Sequence, residues 1–357
     1  MEQNNRFKSP QDPEVGRFLR SLGIHPLPTR LPYPVPNQVN AYLIEGDGLL
    51  LIDTALNDDE SWETLEKDFA RLGHTFAEVR RIYLTHGHLD HYGVARKIQD
   101  LSGAKVYIHP RDRAKVIPHT PEKQKTEKAL YQNYLVGAGF PEDEAVNLLQ
   151  ISEAIRHHAL PLEKLEMAED GEIIKWGQVT LKVMNLPGHT RGMINFYEPR
   201  HRILFSGDHI LPEISPNPLP DLDAVISSPE PELKPGETGP DPFPRFRSLI
   251  QYLVSIQRVL ALDLDLVLPG HGEPIVNHRQ LLLDLARFYQ DRQSKILAAL
   301  GSKELTPLEI SRELFPGVSA FEVILAISEV VGNAEVLEEQ GKIIREIKDR
   351  KIYYRRK

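Results

Sequence analysis

An α/β fold is predicted by two features of the sequence. Short apolar runs of strand length alternate with segments of helical period along most of the chain. Hydrophobic residues make up 41% and charged residues 26% of 357, which is enough apolar material for one large domain plus a smaller one. The same balance excludes a disordered or fibrous protein. No apolar run approaches the ~20 residues of a membrane helix, and the first sixteen residues lack the apolar stretch of a secretory signal. A cytoplasmic protein with no membrane partner is expected. Cysteine is absent, so any metal site must be built from His, Asp and Glu.

The elements follow in order. After a Pro-rich lead-in (Pro26, Pro28, Pro32, Pro34, Pro36), the segment VNAYLIEGDGLLLIDT reads as a hairpin turning at Gly46-Asp47-Gly48. Residues 61–72 have helical spacing, 80–85 form a short buried strand, 92–101 a helix, and 105–108 a strand. From 111 to 166 the pattern turns polar, helical and punctuated by prolines, which predicts an inserted helical subdomain capping a pocket. Strands resume at 172–175, 178–186, 193–198 and 202–206. A Pro-rich loop over 212–244 has little periodicity and the length of a functional loop. Helix 245–261, strand 265–269 and helix 278–299 complete a large domain, 1–300. In the remainder, 301–357, Thr306, Pro307 and Glu309 carry helix-start chemistry. A second helix over 319–339 and a hairpin around Lys348-Asp349-Arg350 then give the order of a winged helix.

The chemistry concentrates in Thr85-His86-Gly87-His88-Leu89-Asp90-His91, directly after a strand. At this chain's own His and Asp frequencies, H-x-H-x-D-H arises by chance about once in a thousand such chains. His86 and His88 on an extended turn point to one side, and Asp90 and His91 lie one step further, where the chain bends into a helix. Two metals can be served, one by each pair. Three more ligand-type residues, His189, Asp208 and His271, each stand behind a glycine just past a strand's end. In α/β sheets that edge is where sites assemble.

With these motifs the sequence resembles the metallo-β-lactamase-fold hydrolases over roughly residues 20–300. The resemblance implies an αββα sandwich with a two-metal site at one edge of the paired sheets. It implies that His86, His88 and His189 hold the first metal, that Asp90, His91 and His271 hold the second, and that Asp208 bridges both. Imidazoles and carboxylates suit two divalent ions, zinc first, with iron or manganese as alternatives. A hydroxide between two such ions is a nucleophile at neutral pH, and Asp90 is placed to accept its hydrogen bond. Asp53 matches a recurrent aspartate of the family near the metals, and Thr85 and Thr190 are further supporting candidates. Tyr92, His109 and His209 are candidates for the pocket lining. The dizinc β-lactamases lack a carboxylate at the bridging position and many use a cysteine ligand. Asp208 and the missing cysteine therefore point to another hydrolase.

Charge bears on the substrate. The last seventeen residues hold eight Lys/Arg against two Asp/Glu, which leaves a net charge of −14 on the rest of a chain whose total is −8. A small ester, thioester or lactone is the expected substrate. RNA is the less favoured alternative, since an acidic body repels a polyanion even where a basic tail could grip phosphates. A DNA-binding regulator is disfavoured because 319–339 contains no Lys or Arg. A homodimer is allowed for.

Overall fold

The computed structural model describes residues 6–33, 35–218, 220 and 247–357. The predicted loop over 212–244 therefore lies mostly outside the described residues. The elements in chain order are α1 (Pro13–Ser21), β1 (Ile24–Arg30), β2 (Gln38–Gly46), β3 (Gly48–Ile52), α2 (Asp59–Leu72), β4 (Val79–Tyr83), α3 (Leu89–Tyr92), α4 (Ala95–Ser102) and β5 (Lys105–Ile108). Then come α5 (Arg113–Val116), α6 (Pro121–Ala138), α7 (Glu142–Ala154), β6 (Glu166–Met167), β7 (Ile173–Trp176), β8 (Val179–Asn185), β9 (Ile194–Glu198) and β10 (Ile203–Gly207). The chain closes with α8 (Ser248–Leu260), β11 (Leu266–Pro269), α9 (His278–Leu300), β12 (Glu304–Leu305), α10 (Pro307–Leu314), α11 (Ala320–Glu339), β13 (Ile343–Lys348) and β14 (Lys351–Arg356).

The chain divides into two compact units. The first comprises the chain up to Pro118, Arg156–Pro216 and Ser255–Leu282. It holds a six-stranded sheet in the order β1-β2-β3-β4-β5-β6 and a five-stranded sheet in the order β11-β10-β9-β8-β7. Period-two side-chain alternation explains the layering. In β3, Leu50 and Ile52 join Tyr83, Phe196, Phe205 and Leu268 in a core shared by the two sheets. Leu49 and Leu51 point the other way and pack with Leu65 and Phe69 of α2 and Ile98 of α4. Each such side chain contributes about 1.5–3 kcal/mol on burial. Strand β3 is thus apolar on both faces, which is why LLLI reads as a continuous run rather than as alternation.

Strand β1 is absent from the sequence-based expectation, where its two prolines read as a lead-in. It lies at the sheet edge, and Pro26 and Pro28 sit two residues apart opposite Tyr42 and Asn40. Residues so spaced share one orientation along the ladder, so both ring nitrogens avoid the positions that need a donor. Leu27 between them is fully buried.

The second unit joins His119–Ile155 to the chain from Leu283 onward, together with Asn217–Val254. Tyr134, Leu135 and Leu148 of α6 and α7 share one core with Leu300, Leu308, Ile327, Val331 and Tyr354. The predicted insertion therefore behaves differently from a self-contained cap: its central helices supply a large share of the core around the C-terminal segment. Thr306 and Ser319 each close a capping box, with Glu309 and Glu322 respectively, and start α10 and α11. Strands β12, β14 and β13 form a small antiparallel sheet, so the helix–helix–hairpin order read from the sequence is present. Most of α11 beyond Leu325 is buried.

Candidate metal centre

The centre lies in the first unit, where strand ends converge. After β4 the chain bends at Thr85 and His86, and His88, in an extended conformation, is the cap residue from which α3 begins. The entry into α3 turns Asp90 and His91 inward. His189 stands on the β8–β9 connection, Asp208 directly follows β10, and His271 follows β11. Strands β10 and β11 are parallel, with Gly207 opposite Pro269, so their C-terminal ends bring Asp208 and His271 together. Gly207 has φ +47°, and a Cβ there would lie 2.7 Å from Thr85 Oγ1. A Cβ at Gly270 would strike the Asp208 carboxylate and stand 2.9 Å from His91 Cε1. The glycines before these two ligand-type residues are required by this close approach.

The seven side chains fall into two groups whose donor atoms lie within 4.8 Å of one another: His86, His88, His189 and Asp208, then Asp90, His91 and His271. In the first, His88 Nδ1 is 2.9 Å from both His86 Nε2 and His189 Nε2. In the second, His271 Nε2 is 3.4 Å from Asp90 Oδ2, and His91 Nε2 is 3.7 Å from the same oxygen. Asp208 reaches both groups: one oxygen is 3.3 Å from His91 Nε2, the other 3.2 Å from His271 Nε2 and 3.5 Å from His189 Nε2.

The far sides of four of the five rings, those of His86, His91, His189 and His271, are held by the protein. His91 Nδ1 meets Asp53 Oδ2 at 2.9 Å, which fixes the tautomer that leaves Nε2 facing the centre. The same carboxylate accepts from the Thr85 amide and hydroxyl, both at 2.7 Å, and Thr85 Oγ1 is 3.0 Å from His86 Nδ1. Asp53 does this from a left-handed backbone with φ +59°, a conformation costing about 1–2 kcal/mol in a residue other than glycine. His271 Nδ1 donates to the Gln38 carbonyl at 2.6 Å, and His189 Nδ1 to that of Pro216.

These residues fit a pair of cations. His91 Nε2 and Asp208 Oδ1 are buried without a hydrogen-bond partner, an expensive arrangement unless something positive is shared between them. Charge is distributed accordingly. Burial, with His91 and His88 alongside, pushes His86 well below its usual pKa, and burial with His189 lowers His88 to about 3. Burial opposes a charge on His91 too, yet Asp208, Asp90 and Asp53 outweigh it and raise that imidazole well above its usual value. His271 moves up for the same reason, and burial of Asp208 is outweighed by His271 and His91, which keep it ionised. Protons on His91 and His271 thus stand where a cation would.

The sequence matches the profile of the metallo-beta-lactamase superfamily over residues 34–271, two thirds of the chain. The chain belongs to this superfamily. The Bacillus subtilis protein described as probable metallo-hydrolase YqjP is 27% identical over 334 residues, covering 91% of this chain and 96% of that one. The crystal structure of a metallo-beta-lactamase family protein from Thermus thermophilus superposes with a TM-score of 0.76 at 28% identity, covering 94% and 99% of the two chains. The acyl-coenzyme A thioesterase MBLAC2 of Gallus gallus is 24% identical over 192 residues, about half of each chain.

Around this metallo-beta-lactamase centre the other sequence candidates are placed less uniformly. Thr190 is buried against Asp112, not against a ligand. Tyr92 belongs to the core with α2 and α4, with its hydroxyl 3.4 Å from the Lys115 carbonyl. His109 caps the turn after β5 by accepting from the Arg111 amide. His209 is fully buried, and burial together with His189 and Arg258 lowers it to about 3. Three residues had no local signal. Asn40 donates to the carbonyls of Pro269 and Gly272 at 3.0 and 2.9 Å, and Tyr42 donates to Pro269 at 2.7 Å, together pinning the His271 loop to β2. Tyr33 is close enough to Asp90 for that charge to raise its hydroxyl pKa, after burial.

Proposed function

We propose that this chain is a two-metal hydrolase of a small ester, thioester or lactone, and that zinc is its metal. The observation that carries the reading is the pair of donor groups with Asp208 reaching both. His86, His88 and His189 would hold one ion, Asp90, His91 and His271 the other, and Asp208 the two together. Two divalent cations held there would polarise an acyl oxygen and make water nucleophilic at neutral pH. The protein's part is positional. Asp53 and the Gln38 carbonyl fix His91 and His271 so that each presents Nε2. Asp90, with a side chain 21% exposed where that of His91 is fully buried, is the carboxylate an incoming water reaches, and it would hold and orient that proton.

The choice of a small substrate over RNA is supported by charge. Three of the tail's eight cations are answered within its own unit: Lys348 pairs with Glu304 and Glu346, Arg350 with Glu142, and Arg355 with Glu346. A relative named as an acyl-coenzyme A thioesterase supports an acyl substrate. Zinc-loaded protein should be offered acyl thioesters, p-nitrophenyl esters and lactones beside labelled single-stranded RNA, with His88→Ala as the blank. Acyl hydrolysis that the variant lacks, with intact RNA, is expected. RNA cleavage that the variant lacks, with every acyl compound untouched, would replace this reading by a nuclease.

A further inference from the structure

The two loops that carry the three histidines of the first donor group meet at a buried carboxylate belonging to neither. Asp112 closes the turn after β5 and is fully buried. Its Oδ2 accepts from the amide of Gly87, the residue between His86 and His88, at 3.0 Å. Its Oδ1 accepts from the amide of Gly192, three residues past His189, at 2.9 Å. Lys115, with a side chain 12% exposed, supplies the counter-charge at 3.2 Å. The clamp is close-packed: a Cβ at Gly192 would lie 2.6–2.7 Å from the Asp112 carboxylate, and one at Gly87 would lie 2.7 Å from Lys115 Cβ. Neither oxygen touches a ligand-type side chain in this arrangement. One carboxylate spans the gap between the loop of His86 and His88 and the loop of His189.

We infer that Asp112 is a positioning residue for the first metal. By tying the Gly87 and Gly192 amides to one carboxylate it sets the spacing of His86 and His88 against His189, and so the affinity of that group. The second group has other supports, Asp53 behind His91 and Gln38 behind His271, so the effect is selective. This rests on the two-metal reading above. In Asp112→Asn one acceptor becomes an amide donor facing a backbone N–H, and the clamp opens on one side.

The test is zinc competition against a chromophoric chelator on the full chain, with circular dichroism as the check on folding. Asp112→Asn is made alone, in a His271→Ala background that cripples the second group, and in a His189→Ala background that cripples the first. Outer partners of metal ligands are worth about 10–100-fold in affinity. A loss of about tenfold or more is expected in the His271→Ala background, and little change in the His189→Ala background. Equal losses in both, or none in either, would overturn the inference while leaving the centre intact. Wild-type protein that takes up no zinc would instead remove the two-metal reading, and this inference with it. Should Asp112→Asn not fold, Gly192→Ala keeps both charges while displacing the carboxylate, and it is judged by the same outcomes.

Discussion

At the scale of single residues the centre is a set of donors whose charge states differ before any ion arrives. Asp208 reaches both groups and His88 stands at the middle of the first. On the two-metal reading proposed above, Asp208→Ala and His88→Ala should each lower kcat/KM by at least about a hundredfold, since each would remove a donor to a metal where even an outer partner is worth about 10–100-fold. Far-ultraviolet circular dichroism should stay unchanged. A cation must also displace the protons that carboxylates hold on His91 and His271, whereas His86 and His88 are already neutral. Metal affinity at the Asp90, His91 and His271 group should therefore rise with pH through and above the ordinary histidine range. Affinity at the other group should be flatter there. Zinc titrations at several pH values, in His189→Ala and His271→Ala, separate the two slopes, and parallel slopes would contradict the assignment. The clustered donor residues were legible because four of them fall within six residues and the rest repeat one local pattern behind a glycine. Asn40 was not, because its partners lie 229 and 232 positions away and nothing beside it announces them.

At the scale of elements, strand ends do the placing. Strand β2 contributes no ligand, yet its first residues hold the His271 loop through Asn40, Tyr42 and the Gln38 carbonyl. Asn40→Ala removes a buried donor from two carbonyls and should cost about 1–3 kcal/mol in urea unfolding. It should also weaken metal binding at the second group more than at the first. A variant as stable as wild type would show that the loop is held by packing alone. Apart from β1 and the two-residue β6, the strands of the two large sheets were legible to within a few residues, since burial on one or two faces imprints a period on the sequence. Strand β1 escaped because proline argues against a strand everywhere except at an edge, and a sequence does not say which strand will be the edge. The insertion was legible as helical but not in its allegiance. Its apolar residues, Tyr134, Leu135 and Leu148 among them, match partners almost two hundred residues later in the chain.

At the scale of the whole molecule, that allegiance changes what a deletion does. Removing 119–155 should strip the second unit of a large part of its core and abolish its cooperative unfolding, which calorimetry would read as the loss of a transition. A deletion variant with an unaltered melting profile would refute the shared core. Among the described residues no helix is long and apolar enough to cross a membrane. The order of the donors along the chain has a further consequence, for synthesis. A growing polypeptide has His86, His88, Asp90 and His91 early, gains His189 and Asp208 after roughly a hundred more residues, and lacks His271 until three quarters of the chain has been made. Strand β11, which delivers His271, pairs only with β10 among the described strands. The full set of seven donors therefore exists only once β11 and the loop after it have been made. A chain broken off before β11 lacks His271 and can hold at most a partial site.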